Sequence, residues 1–273
     1  MEDFTETLSE KMKNFENQSI LTLNTKTPVI IRLDGRAFHT FTKGLTKPFD
    51  EDLSYLMQCT ALGLASEIQN TKFIYSQSDE ISMLLTDWDN PNTDTWYGYR
   101  LQKLISVSAS MATVKFNQAL MKIIDKYANK MSKLDVILNT DRPYIVDNIP
   151  LNKDELKWAI WYKKQFQAVF DSRAFNIPKE EVSNYFLYRY RDAKRNSIQA
   201  LARSCFSHKQ LEYKNISDMI QMVKEKTDID YNKLPSLQKV GFAVYKNEEE
   251  NWIIDTEVPD IYENRDYIEK WLM

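Results

Sequence analysis

The chain predicts an α+β fold: a ferredoxin-like sheet of order β-α-β-β-α-β, followed by a helical and β-hairpin elaboration. Three observations predict it. Short runs rich in β-branched residues alternate with longer segments whose apolar residues recur at i, i+3 and i+4. Two of the β-type runs are separated only by Ser78-Asp79-Glu80, which makes them a hairpin. A further β-type run at 167–175 follows the second long helix and completes the motif.

The elements follow in order. Residues 4–17 read as a helix, with Phe4, Leu8, Met12 and Phe15 at helical spacing. Val29 to Leu33 is the first strand, and Gly35 after Asp34 lets the backbone turn tightly. The loop from Phe38 to Pro48 leads into a helix whose apolar face is Leu53, Leu56, Met57, Ala61, Leu64, Ala65 and Ile68, with Asp50 as N-cap. Lys72 to Gln77 and Ile81 to Thr86 form the hairpin, with its acidic tip in the turn. A polar loop containing Pro91 leads to a long helix from about Trp96 to Met131, where Ser106, Ser108, Ala109, Ser110 and Ala112 suit close packing on a sheet. Gln167 to Phe175 is the last strand of the motif. Pro178 opens a helix to about Arg203, with Val182, Tyr185, Phe186 and Arg189 on one side. Ile216 to Thr227 is another helix, and Val240–Tyr245 with Trp252–Asp255 reads as a second hairpin. No repeat or flexible linker divides the chain. The expected organisation is a core of residues 1–140 and a second half, 141–273, that completes the sheet.

Composition narrows the function classes. With 273 residues, 43% of them hydrophobic, the chain can bury one large core. No apolar run approaches the roughly 20 residues that span a bilayer, and the polar, acidic stretch Met1 to Glu10 does not resemble a secretory signal. Cys59 and Cys205 lack CxxC spacing, and His39 and His208 are the only histidines, so neither a disulfide framework nor a zinc site is expected. A reducing cytoplasm is the expected setting. The net charge is −3, but residues 248–273 hold nine acids against Arg265 and Lys270, a local −7 that leaves +4 for residues 1–247. Basic residues cluster at Lys115, Lys122, Lys126, Lys130 and Lys133, at Lys163 and Lys164, and at Arg189, Arg191, Lys194 and Arg195. Such faces are either solvated helix surface or a track for phosphates.

Asp34 and Asp79 carry the chemistry. Each ends or adjoins a short apolar strand. If the strands are neighbours in one sheet, both carboxylates reach one point. Two hard oxygen ligands at one point suit Mg²⁺, which takes one or two carboxylates together with substrate phosphates. A pair of such ions serves in-line displacement at phosphorus. Ferredoxin-like sheets of the palm type, as in polymerases and nucleotidyl cyclases, place metal carboxylates on the first strand and the central hairpin.

The motifs Arg32-Leu33-Asp34-Gly35-Arg36-x-Phe38-His39-x-Phe41, Lys47-Pro48-Phe49-Asp50 and Ser78-Asp79-Glu80-x-Ser82 together resemble the tRNA-histidine guanylyltransferase family. The resemblance continues through Arg100-x-x-Lys103, Phe170-Asp171-x-Arg173, Arg191-Asp192-Ala193-x-x-Asn196, Phe206-Ser207 and Lys239-x-Gly241. It implies a nucleotidyltransferase with two Mg²⁺ ions that extends tRNA in the 3′-to-5′ direction using GTP, ATP or other nucleoside triphosphates, assembled as a homotetramer. It assigns Asp34, Asp79 and the Gly35 carbonyl to the metals, with Glu80 shaping that site. Arg36, Phe38, His39, Lys47, Ser78, Arg100, Lys103 and Asn196 are assigned to the nucleotide. Lys163, Lys164, Arg189, Arg191, Lys194 and Arg195 are the candidates for RNA contact, with the second half supplying RNA-binding and oligomerisation helices.

One departure refines the expectation. Where single-guanylate enzymes carry His-Ile-Asn-Asn-Leu-Tyr-Asn, this chain reads Lys194-Arg195-Asn196-Ser197-Ile198-Gln199-Ala200. That is the style of the guanylyltransferase-like branch, which repairs 5′-truncated tRNA by templated addition. The alternatives are a dedicated histidine-tRNA enzyme adding one G, a nucleotidyl cyclase on the same palm, and a non-catalytic RNA-binding module.

Overall fold

Alternation along the strands decides the architecture, because successive side chains point to opposite faces. The computed structural model describes residues 7–89, 92–130 and 152–273. Phe4, Pro91, Met131 and Lys133 lie outside them. A capping box between Thr7 and Glu10 opens helix α1 (Leu8–Asn17). Strand β1 (Val29–Gly35) follows, then the one-turn α2 (Phe38–Phe41) and α3 (Glu51–Glu67). Asp50 caps α3 by accepting from the Leu53 N–H. Strands β2 (Thr71–Gln77) and β3 (Glu80–Leu85) form the hairpin, and α4 (Leu101–Ala128) crosses back over the sheet. Next come α5 (Lys153–Tyr162), β4 (Phe170–Asn176) and α6 (Val182–Cys205). The remainder is α7 (His208–Leu211), α8 (Ile216–Thr227), α9 (Ser236–Val240), β5 (Phe242–Lys246), β6 (Trp252–Asp255) and α10 (Asp266–Glu269).

The sheet order is β4-β1-β3-β2-β5-β6, with every neighbouring pair antiparallel. The first four strands carry the ferredoxin-like order, and the second hairpin extends the β2 edge. Val29, Ile31 and Leu33 of β1 face a core shared with α3, α4 and α5. Ile30 faces the opposite core, under α6 and the C-terminal residues Val258, Ile261 and Ile268. Helix α4 sits close on β4: Ser108 and Ser172 share a hydroxyl hydrogen bond of 2.8 Å, and Asn117 Nδ2 donates to the Ala168 carbonyl at 2.9 Å. Ser106 and Ser110 instead face outwards, because they lie on the other side of the helix.

Three sequence expectations are revised. The long helix does not begin at Trp96. Residues Trp96–Tyr99 form a 3₁₀ turn with positive φ at Tyr97 and Gly98, because the Leu21–Leu23 segment pairs with Tyr99–Leu101 and holds the backbone there. Pro178 is likewise followed by a 3₁₀ turn, and α6 starts at Val182. Helix α5 was not expected, although its capping box at Asn152 and Glu155 is legible in the sequence.

Gly241 leads into β5 with φ +89°, and a Cβ there would lie 2.0 Å from the Ser76 carbonyl oxygen. Gly241→Ala therefore combines a left-handed backbone with overpacking. It is expected to cost about 2–4 kcal/mol, read as a lower urea midpoint at unchanged m-value.

Candidate active site

The first turn is shaped by packing. Gly35 ends β1, and a Cβ there would lie 2.3 Å from the Phe38 ring. Phe38 is buried against Phe41, Phe116 and Phe170. Close approach to that aromatic cluster is what requires glycine at 35. The assignment of Phe38 to nucleotide binding is corrected accordingly: its side chain belongs to the core, and only its backbone is left for a ligand.

Register brings the carboxylates together. Asp34 lies opposite Glu80 on β3 and opposite Asp171 on β4. The Gly35 N–H donates to the Asp79 carbonyl at 3.1 Å, which locks the end of β1 to the hairpin turn. Ser78, at φ 52°, makes that turn, and its hydroxyl donates to Asp79 Oδ1 at 2.9 Å. Burial pushes the Asp79 carboxyl above its usual range, and the nearby Asp34 charge adds to the push, against the Ser78 hydrogen bond and His39. Among the described residues no Lys or Arg forms an ion pair with Asp34 or Asp79.

Glu80 is different. It is 6% exposed. Arg32 Nη2 lies 2.7 Å from its Oε2, and Arg189 Nε lies 3.2 Å from its Oε1. Burial still holds its carboxyl above the usual range despite both arginines, and Asp34 contributes in the same direction. Its oxygens are committed to these cations, so Glu80 shapes the site from behind.

The neighbouring carboxylates of Asp34 and Asp79, neither ion-paired to a Lys or Arg among the described residues, are of the kind a divalent cation takes. Among the described residues no set of three or more His, Cys, Asp or Glu side chains is gathered to hold a metal. The pair would therefore need backbone carbonyls, water and substrate phosphates to complete a shell, which is the habit of Mg²⁺.

Beside the hairpin turn lies a cleft of about 290 Å³. Pro48, Phe49 and Met57 form one wall, Leu237 and Phe242 another, with Ser78 and Asn196 as polar groups. The bond from Lys47 to Pro48 is cis. Lys239, which the motif pattern includes but no role was given, also lines the cleft, and its Nζ donates to the Asn232 carbonyl at 3.0 Å. Lys47, Arg36 and His39 are exposed, and His39 lies near enough to Asp79 to act on its carboxyl.

Arg100 and Lys103 are not brought to this site. Thr113 of α4 touches Phe170, opposite Gly35, through a 3.1 Å hydrogen bond. Arg100 is 13 residues earlier, roughly 20 Å along the axis. It is the N-cap of α4 and pairs with Thr22, at the far end of the sheet. The RNA-facing assignments divide as well. Arg189 is 2% exposed and pairs with Glu80 and Asp192, so it is a buried structural cation. Lys164 is buried and donates to the Phe41 carbonyl, with its pKa lowered by that burial. Lys163, Arg191, Lys194 and Arg195 remain exposed.

A family model described as tRNAHis guanylyltransferase matches residues 9–178. A bacterial tRNA(His) guanylyltransferase-like protein solved in complex with ATP is 38% identical, with 97% of this chain and 99% of that one covered at a TM-score of 0.78. A second such bacterial structure, in complex with GTP, is 34% identical over 97% and 98% of the chains, TM-score 0.72. The tRNA(His) guanylyltransferase of Neurospora crassa is 24% identical over 253 residues, 88% of this chain and 73% of its own. No helix among the described residues is long and apolar enough to cross a membrane.

A raised carboxyl pKa costs stability above its folded value. The cost is absent where Asp79 is protonated in both states and grows as pH rises through the interval up to its raised folded pKa. In EDTA at pH 7, Asp79→Asn is expected to raise Tm, and the gain should disappear at pH values below the ordinary carboxylate range. Thermal melts across pH check both the sign and the window.

Proposed function

The chain belongs to the tRNA(His) guanylyltransferase family and is a nucleotidyltransferase, and from that premise we propose that it adds nucleotides to the 5′ end of tRNA in the 3′-to-5′ direction, as templated repair of 5′-truncated tRNA. The observation that carries the reading is the pair of neighbouring Asp34 and Asp79 carboxylates, without a Lys or Arg ion-pair partner among the described residues, next along the hairpin turn from Ser78, which lines a nucleoside-sized cleft.

Asp34, Asp79 and the Gly35 carbonyl would hold two Mg²⁺ ions. Those ions supply activation of a hydroxyl nucleophile and stabilisation of charge on the leaving oxygens. The cleft takes the base and ribose of GTP, ATP or another nucleoside triphosphate between Phe49, Met57 and Leu237. Ser78 and Asn196 offer hydrogen bonds at its edge. Lys47, Arg36 and Lys239 place positive charge around the triphosphate, where it offsets negative charge in the transition state. Partly exposed Arg32 and buried Arg189 keep Glu80 from competing for the metals.

RNA is placed along the exposed Lys163, Arg191, Lys194 and Arg195, which track phosphates. Helix α1 buries no residue, and Leu8 and Phe15 are 75% and 57% exposed. That apolar stripe is the surface we assign to self-association in a homotetramer. The cytoplasm is the compartment in which the substrate tRNA and reduced Cys59 and Cys205 fit together.

Templated addition is favoured by what the departing residues do. The Ser197 hydroxyl is engaged by the Lys239 carbonyl at 2.7 Å and the Tyr231 hydroxyl at 2.8 Å. Lys194 Nζ lies 3.7 Å from Asp260. The Ser197 hydroxyl is not left to read a guanine, and Lys194 stands among the RNA-facing cations, so base choice falls to the opposite RNA strand.

Asp34→Ala and Asp79→Ala are each expected to reduce Mg²⁺-dependent nucleotide incorporation at least about 10³-fold, a loss of roughly 4 kcal/mol in the barrier, with far-UV circular dichroism unchanged. Near-normal activity in either variant removes that residue from the metal assignment.

A set of tRNAs lacking the first 5′ nucleotide and differing only in the templating base tests the repair reading. Guanylate should enter opposite C and uridylate opposite A, and addition should stop when the acceptor stem is complete. Guanylate incorporation into histidine tRNA alone, whatever the opposing base, would instead identify a dedicated single-guanylate enzyme. Product formation from nucleoside triphosphate without RNA would point to a cyclase.

A further inference from the structure

Between the carboxylates and the cleft runs a charged connection of which the chemistry above uses only the Glu80 end. Arg189 projects from α6 into the protein with its Nε 3.2 Å from Glu80 Oε1. Its Nη2 donates to Asp192 Oδ2 at 2.7 Å. The same Asp192 oxygen accepts from Asn196 Nδ2 at 3.3 Å, and its other oxygen pairs with Arg195. Asn196 lines the cleft. Glu80 is bonded to Asp79 in the chain and faces Asp34 in the sheet register. One guanidinium thus joins the catalytic hairpin to a polar group of the cleft wall.

Stability alone does not call for this arrangement. A buried charge pair forfeits hydration, and well-packed apolar side chains of similar volume commonly serve a core at least as well. What a guanidinium adds is reach to two carboxylates at once: Nη2 hydrogen-bonds Asp192 while Nε stays at ion-pair distance from Glu80. Here the two acceptors belong to different elements, the β2–β3 hairpin and α6. A displacement of Asn196 by a bound nucleotide therefore reaches Glu80 through one hydrogen bond, Arg189 to Asp192, and one buried ion pair, Arg189 to Glu80.

We propose that Arg189 is a positioning residue that couples nucleotide binding at Asn196 to the placement of the Asp34–Asp79 carboxylates, through Asp192 on one side and Glu80 on the other. This rests on the reading of the cleft as the nucleotide site. The carboxylates would then be set for metal and phosphate only when the cleft is filled, which favours extension over idle hydrolysis of the triphosphate.

The test is a double-mutant cycle read by binding. Fluorescence titration with mant-GTP and Mg²⁺ gives Kd for the parent, Glu80→Gln, Asn196→Ala and the double variant, and the cycle is repeated in an Arg189→Met background. In the parent the double variant should depart from the product of the single effects by at least about fivefold. In the Arg189→Met background the departure should fall within twofold. Additive effects in the parent, or the same coupling without Arg189, overturn the proposal. Arg189→Lys keeps the charge but cannot reach Glu80 and Asp192 together, and it serves if Arg189→Met does not fold. It should also lose the coupling, and full coupling with lysine overturns a role for the guanidinium. Extension of 5′-truncated tRNA is measured in parallel. A parent that binds mant-GTP but extends no RNA overturns the functional reading while the cycle still decides the role of Arg189. A parent that binds no mant-GTP overturns both.

Discussion

The antiparallel register between β1 and β3 is the constraint on which the rest depends. Leu33 lies opposite Ile81, Ile31 opposite Met83 and Val29 opposite Leu85, and all six are fully buried. A slip of one residue would turn every one of them to the wrong face of the sheet. The apolar pairing therefore fixes the polar end of the ladder, where Asp34 meets Glu80 and the Gly35 N–H meets the Asp79 carbonyl. The positions of the acidic groups are set by the hydrophobic residues that precede them. Phe38 completes the arrangement from the other side, since its burial among Phe41, Phe116 and Phe170 fixes the turn that leaves β1.

The electrostatics of the site are asymmetric by construction. Behind the carboxylates, buried Arg189 and half-buried Arg32 neutralise Glu80. In front, Asp34 and Asp79 are neighbours without a Lys or Arg ion pair among the described residues, and burial, with the Asp34 charge adding to it, holds Asp79 partly against ionisation. Such an arrangement is a local loss of stability, and two large cores on either side of the sheet tolerate it. Had Arg32 or Arg189 been aimed at Asp34, the fold would gain an ion pair and lose a pair of free oxygen ligands. Glu80 prevents this by occupying both arginines. Its contribution is thus to keep its neighbours free.

Much of this was legible in the sequence, and the remainder has physical reasons. The strands, the hairpin and the two aspartates follow from period-two patterning and turn residues, which are local signals. The burial of Arg189 was also written there, since Val182, Phe186 and Arg189 share one helical face and that face is the apolar one; reading charge as exposure hid it. Lys164 gave no such signal. It follows α5 directly, and its inward course depends on the Phe41 carbonyl, more than 100 residues away in the chain. The placement of Arg100 and Lys103 could have been inferred from topology. Strand β3 begins at the acidic turn and runs away from it, so the element after β3 must start at the opposite end of the sheet. The first turns of α4 are therefore far from the carboxylates; its middle reaches their level at Thr113, and its C-terminal turns run on to Asp52 near the start of α3, where Lys126 and Tyr127 meet it. Motif spacing says nothing about which end of a helix lies near a site, whereas strand direction does.

The division of labour between the two halves of the chain bears on how specificity can change. The family match ends at residue 178 and contains both aspartates, the hairpin and one wall of the cleft. The facing wall comes from 193–200 and 237–242, beyond the matched residues. That wall is held by contacts of its own: Ser197 to the Lys239 carbonyl and Tyr231, and the Tyr75 hydroxyl to the Val240 carbonyl. Substitutions there alter what the cleft accepts while the β1–β3 register stays fixed. The departure at Lys194 to Ala200 falls within this wall and adjoins the end of the Arg189 connection at Asn196. A change of substrate preference in this fold is therefore not free of the catalytic end, because the residue that lines the cleft and the residue that braces the hairpin are joined through one arginine.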